Sequence, residues 1–134
     1  MASKNQSTGI ACVHYVGAEL SRRGYAVAVT ARNTEGIDLM ATAPGSLRSY
    51  AIQVKGNARR TSFWLLGEGY KPFSQPTFFY TFVNLLNDGT RAEFFIVPSR
   101  VVARRYTGGR RKPRWPAFRR VDAERYRDRW DLLK

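Results

Sequence analysis

The sequence predicts an α/β (α+β) fold, a mixed β-sheet of about five strands flanked by helices. Three observations lead there. A helical pattern near the amino end precedes three short, β-branched runs. An Asp-Gly pair within Asn87-Asp88-Gly89-Thr90 joins two further apolar runs as a hairpin. The last part of the chain returns to helical patterning, giving the order α-β-β-β-β-β-α-α. At 134 residues the chain suits one domain, and 43% hydrophobic residues with 13% aromatics suffice for a core. We expect disorder over residues 1–8 and around 108–117. Residues 9–134 then form one domain with a basic helical end over 98–134.

Residues 8–23 read as a helix, with Ile10, Val13, His14, Ala18 and Leu20 on a mixed apolar face. Ser21-Arg22-Arg23 puts cations in its last turn, and Gly24 suits the C′ position, where φ is positive. Tyr25 to Thr30 is a run of strand length. Arg32 to Gly36 has turn chemistry, and Ile37 to Thr42 is the second strand. Ala43-Pro44-Gly45-Ser46 is a turn leading to a third strand over Arg48 to Lys55. Its period of two places Tyr50, Ile52 and Val54 on one face and Ala51, Gln53 and Lys55 on the other. Asn57 to Gly69 reads as a loop anchored to the core by Trp64-Leu65-Leu66. Thr77 to Leu86 and Arg91 to Val97 are the hairpin strands. Pro98 ends the second, and Ser99 is placed to cap a helix over Arg100 to Tyr106. Gly108 to Arg114 is a basic loop. Arg119 to Leu133 reads as a last helix burying Val121, Tyr126, Trp130 and Leu133.

Charge narrows the function classes. Lys plus Arg number 23 against 10 acids, a net charge of +13, and 18 of the 23 are Arg. Residues 100–134 carry 13 basic and 4 acidic side chains. Guanidinium forks match phosphate, and such a field attracts polyanions, so nucleic acid is the expected partner. The single Cys12 excludes a disulfide within the chain and suggests a reducing, cytoplasmic setting. The single His14 excludes zinc sites built on several histidines. Met1-Ala2-Ser3-Lys4 leads into polar residues without an apolar signal region, and Phe78 to Leu86 is too short to span a bilayer; no membrane partner is expected. Neither a Walker lysine pattern nor Gly-x-Gly-x-x-Gly is present.

The few acids are placed as phosphodiester hydrolysis requires. That reaction needs a divalent cation, oxygen ligands for it, and a fixed positive charge near the developing negative charge. Asp38 is the candidate central ligand for Mg or Mn, one or two ions. Glu19 can add a direct or water-mediated contact, the Gln53 amide oxygen a neutral one, and the Val54 backbone carbonyl another. Lys55 can orient water or stabilise the transition state. Gly17-x-Glu19, Gly36-x-Asp38 and Gln53-x-Lys55, spaced by 19 residues from Glu19 to Asp38 and 15 from Asp38 to Gln53, resemble the PD-(D/E)xK, or restriction-endonuclease-like, nuclease superfamily. The resemblance covers about residues 8–56 and lies nearest small branches that include Holliday-junction resolvases and uncharacterised bacterial proteins. It implies catalytic roles for Glu19, Asp38, Gln53 and Lys55 and a Mg-dependent endonuclease acting on DNA. Ile37 stands where the family has proline, and Gln53 replaces the second acid. That replacement removes a negative charge and makes Glu19 the compensating acid. Asn57, Arg59, Arg60, Arg110, Arg111, Lys112 and Arg114 are the candidate nucleic-acid contacts. A homodimer would present two such sites to a duplex. The alternatives are a non-catalytic nucleic-acid-binding module on the same fold and a basic subunit that meets an acidic protein.

Overall fold

The computed structural model describes residues 3–31, 36–108 and 115–134. Helix α1 (Lys4–Arg22) begins with a capping box: Ser3 Oγ accepts from the Gln6 N–H, and Gln6 Oε1 accepts from the Ser3 N–H at 2.8 Å. This cap places residues 4–8 in the helix, where the sequence reading expected disorder. At the other end, Gly24 takes φ +89°. Its N–H reaches the Ser21 carbonyl and that of Tyr25 the Leu20 carbonyl, a Schellman closure.

Among the described residues seven strands follow: β1 (Ala26–Val29), β2 (Leu39–Thr42), β3 (Ser49–Asn57), β4 (Phe63–Leu65), β5 (Phe78–Leu86), β6 (Arg91–Pro98) and β7 (Ala117–Arg119). Helix α2 (Ser99–Arg105) follows β6, and the single turn α3 (Arg120–Ala123) follows β7. The main sheet has the order β1-β2-β3-β5-β6, and β4 and β7 form a separate two-stranded sheet. Strands β1, β2 and β3 are an antiparallel meander, β3 and β5 are parallel, and β5 and β6 are antiparallel. The five-stranded mixed sheet and the β5–β6 hairpin agree with the sequence reading. At the hairpin turn Asn87, Asp88 and Gly89 all have positive φ, which explains the Asn-Asp-Gly run.

The sheet is buried on both faces, and alternation along β3 assigns its residues to one or the other. On the first face Cys12, Val16 and Leu20 of α1 pack with Leu39, Ile52, Val54 and Val83. On the second, Tyr80, Phe82 and Phe95 pack with Trp64, Val102 and Phe118. Trp64 anchors this side: its ring lies 5.0 Å from Phe82 and 5.3 Å from Phe95, and its Nε1–H donates to the Val83 carbonyl at 2.9 Å.

Three local expectations are corrected. The loop expected over 57–69 contains β4, because Trp64 inserts into the second core while β7 pairs alongside. Ser99 does not cap α2. It lies inside the helix, and its hydroxyl accepts from the Gln75 N–H and donates to the Gln75 carbonyl, fixing the preceding loop. The helix expected over 119–133 is broken into β7, α3 and two 3-10 turns. The reason is topological. Ala123 belongs to the second core but Trp130 and Leu133 belong to the first, so the chain must round the β6 edge. It does so by pairing Arg127 with Phe95 and donating the Asp128 N–H to the Phe94 carbonyl, with Asp128 at φ +52°. A straight helix cannot turn that edge.

Helix α1 approaches β3 closely at Gly56. A Cβ on Gly56 would lie 2.8 Å from Cys12 Cβ and closer still to its sulfur. Gly56 is thus the residue that lets α1 sit on the strand carrying Gln53 and Lys55. Gly56→Ala is expected to destabilise the fold by about 1–3 kcal/mol in urea denaturation. Cys12→Ala should recover part of that loss, because it removes the sulfur and leaves only the Cβ contact.

Candidate active site

Asp38 lies where β2 parts from β3. Its N–H donates to the Ile52 carbonyl at 2.9 Å, and its carbonyl accepts from the Thr30 N–H at 3.0 Å. One residue earlier, Thr30 Oγ1 donates to the Ile37 carbonyl at 2.5 Å. Asp38 is therefore held by its backbone on both sides. Its Oδ2 accepts from the Val54 N–H at 2.7 Å, taking the place a β2 carbonyl would fill if the ladder continued. The two backbone groups of a strand residue point the same way, so the Val54 carbonyl faces the gap that Asp38 closes.

Gln53 and Lys55 lie on the second face of the sheet, in register with Tyr80 and Phe82. Burial pushes the Lys55 ammonium below the ordinary lysine value, and the nearby Asp38 carboxylate partly offsets that. Gly67 arches over the amine: a Cβ there would lie 4.0 Å from Lys55 Nζ. The structure thus brings Asp38, Gln53, Val54 and Lys55 to one place. Gln53 also lines a cleft of about 770 Å³ walled by Ile37, Tyr70, Phe73, Phe78 and Tyr80.

Glu19 is not part of this group. It is on α1, which covers the opposite face, and its carboxylate pairs with Arg22 at 3.0 Å and with Arg23. Burial alone would raise that carboxyl, but hydrogen bonds from Arg23 and Arg22 outweigh it and hold it below the usual range. The Arg23 guanidinium lies 4.7 Å over the Trp130 ring, in a groove shared with Ala43, Pro44 and Arg48 at the β2–β3 turn. That is the far end of the hairpin from Asp38. The expectation that Glu19 compensates for Gln53 is corrected by this geometry. Spacing along the chain indicated a helix but could not tell which face of the sheet it covers.

Asn57 is likewise committed elsewhere. Its Nδ2 donates to Thr61 Oγ1, to the Phe63 carbonyl at 3.0 Å and to Asn84 Oδ1 at 3.0 Å. This leaves it a clamp on the β3–β4 turn rather than a phosphate contact. Arg59 is exposed on that turn, and Arg60 reaches Glu93 at 3.9 Å. Arg110, Arg111, Lys112 and Arg114 lie outside the described residues. The segment that carries them leaves and returns through a backbone pair, Thr107 N–H to Ala117 carbonyl at 2.8 Å and the reverse at 2.9 Å.

Sequence reasoning missed the buried carboxylate Glu93. Asn84 donates to it at 3.0 Å, Arg127 at 3.0 Å and Arg120 through both guanidinium nitrogens. The signal available was an acid beside the apolar run Phe94 to Val97 of β6. Burial alone would raise its carboxyl, but hydrogen bonds from Arg120, Asn84 and Arg127 bring it down to about 2.

Among the described residues, no three His, Cys, Asp or Glu side chains converge. Among the same residues, no helix is long and apolar enough to cross a membrane. The structure of a bacterial homing endonuclease, I-Ssp6803I, is similar to this chain, with a TM-score of 0.60 and 16% identity over 99% of this chain and 92% of that one. At that identity the likeness shows the fold: a mixed five-stranded sheet flanked by helices, shared with a solved nuclease. No protein-family model matches the chain, and neither does any curated protein.

The folded-state value of Glu93 lies below its ordinary 4.5, so its contribution to stability is present above that pH and is lost as pH falls toward about 2. For a buried carboxylate this corresponds to roughly 3 kcal/mol. Glu93→Gln should lower the urea midpoint near neutral pH by removing the buried charge that Arg120 and Arg127 share, leaving them only the more exposed Glu124. The gap from the native protein should close as the pH is taken down toward 2.

Proposed function

We propose that this protein is a metal-dependent endonuclease acting on DNA, with its active centre at Asp38, Gln53, Val54 and Lys55. The observation that carries the reading is the Asp38–Val54 hydrogen bond of 2.7 Å, which sets a carboxylate and the Val54 carbonyl at one gap beside Lys55 and Gln53. The likeness in fold to a homing endonuclease supports it. So does the net charge of +13.

The donor set suits Mg or Mn rather than zinc. One carboxylate, one amide oxygen and one backbone carbonyl are hard oxygen ligands, and Mg completes its shell with water and substrate phosphate. Three convergent acids are not required. In this reading Asp38 holds the ion, with Gln53 and the Val54 carbonyl as neutral ligands. The bound ion would supply Lewis-acid polarisation of the phosphate and a more acidic water. Lys55, constrained under Gly67, keeps a positive charge beside the scissile phosphate, where charge develops in the transition state. Arg59 on the β3–β4 turn, together with Arg110, Arg111, Lys112 and Arg114, is assigned to backbone phosphates. A homodimer would cut both strands.

Incubation with Mg or Mn should nick or cleave DNA. Asp38→Ala and Lys55→Ala should each reduce the rate by on the order of 10²–10³-fold or more. Glu19→Gln should leave it nearly unchanged. Gln53→Glu adds a negative charge to the ligand set, so it should lower the metal concentration needed for half-maximal cleavage. Cleavage that survives both Asp38→Ala and Lys55→Ala would refute the assignment. DNA binding with no measurable metal site at Asp38 would instead identify a non-catalytic binding module.

A further inference from the structure

We propose that the cleft beside Gln53 is a pocket for an unstacked nucleobase, so that the substrate is DNA carrying an unpaired or extruded base next to the scissile phosphate. This rests on the reading of the active centre given above and specifies the kind of DNA it takes. Gln53 lines the cleft and belongs to the active-centre group, and Gly36 and Ile37, which lead into Asp38, form part of the same wall. A phosphate beside Lys55, at the centre where Asp38 would hold the ion, therefore places the base of its own or the adjoining nucleotide at the cleft mouth.

The walls match that ligand. Phe73 is 54% exposed although it packs edge-on to Phe78 with centroids 5.6 Å apart, which leaves a ring face to the solvent side of the cleft. Phe78 and Tyr80 continue the aromatic wall at 5.2 Å. Tyr70, steadied edge-on by Tyr106 at 5.0 Å, lines the opening, and its buried hydroxyl has no hydrogen-bond partner among the described residues. Gln53, Gln75 and Thr77 add amide and hydroxyl groups at the rim, and Lys71 adds a cation. The result is an aromatic-lined cleft with one exposed ring, Phe73, polar groups at its rim and a positive border, the chemistry of base stacking without base pairing. At about 770 Å³ the cleft admits a nucleoside, within the size range of ligand sites.

The loop that carries Tyr70 and Phe73 is also built to hold its shape. Ser99 fixes Gln75 through two hydrogen bonds of 3.0 and 2.9 Å, and the Phe78 N–H donates to the Gln75 carbonyl at 3.0 Å. The slot is therefore preformed, and little ordering opposes binding.

The test is equilibrium binding without divalent metal to three fluorescent DNA duplexes: fully paired, with one extra unpaired base, and with an abasic residue in place of that base. The unpaired base should bind about tenfold more tightly than the abasic residue. Phe73→Ala should erase that difference while leaving affinity for the abasic duplex unchanged, and Phe73→Trp should keep it. Equal affinity for the unpaired and abasic duplexes, or a Phe73→Ala loss that is uniform across all three, overturns the pocket. The two readings fail separately. A base preference sensitive to Phe73 without any Asp38-dependent cleavage keeps the pocket and rejects the nuclease. Asp38-dependent cleavage of the paired duplex with no base preference does the reverse.

Discussion

The arrangement around the candidate centre depends on one hydrogen bond, from the Val54 N–H to the Asp38 carboxylate at 2.7 Å. Here a side chain takes over from a backbone carbonyl at the point where β2 leaves β3. Without such a partner, the Val54 N–H would be left exposed at a broken ladder. With it, the chain before Asp38 is free to turn away, and Gly36 and Ile37 become the wall of a cleft instead of a continued strand. The same divergence leaves the Val54 carbonyl facing the gap. One contact therefore fixes a carboxylate, orients a carbonyl and opens the space beside Lys55.

The rest of the molecule holds β3 in place while leaving that end open. On one face, Gly56 lets α1 approach to the distance at which Cys12 fills the space above the strand, and burial there pushes the Cys12 thiol up to about 11, consistent with a packing role. On the other, the Trp64, Phe82 and Phe95 cluster braces the strand carrying Lys55 through its neighbour β5. The last residues close the far edge. Arg127 and Asp128 pair with β6, shielding a strand that would otherwise expose its backbone groups. Tyr25 and Tyr50 then fasten the end of the chain through their hydroxyls, to the Leu133 and Lys134 carbonyls at 2.5 and 2.6 Å.

Some of the arginines are structural. Arg120 and Arg127 bind Glu93 and lie 5.2 and 4.8 Å over the Phe95 ring, so two cations of the basic end are spent on the second core. Arg22 and Arg23 are spent on Glu19. A basic composition marks a polyanion partner only through the residues left unpaired, and composition does not say which those are. The acids face the same limit. Asp38, Gln53 and Lys55 meet at one gap, whereas Glu19 serves an ion pair on the far side of the sheet.

What the sequence determined by itself was local. Period-two alternation put Gln53 and Lys55 on one face, the Asn-Asp-Gly run required a turn of positive φ, and Gly24 ended α1; each depends on residues within a few positions of one another. The tertiary structure decided what lies across the sheet. Which face α1 covers, whether Asn57 is free, how the last residues round β6, and that Tyr70 and Phe73 border Gln53 all depend on contacts between distant segments. Burial and strand pairing set those contacts, and neither leaves a periodic trace in the chain.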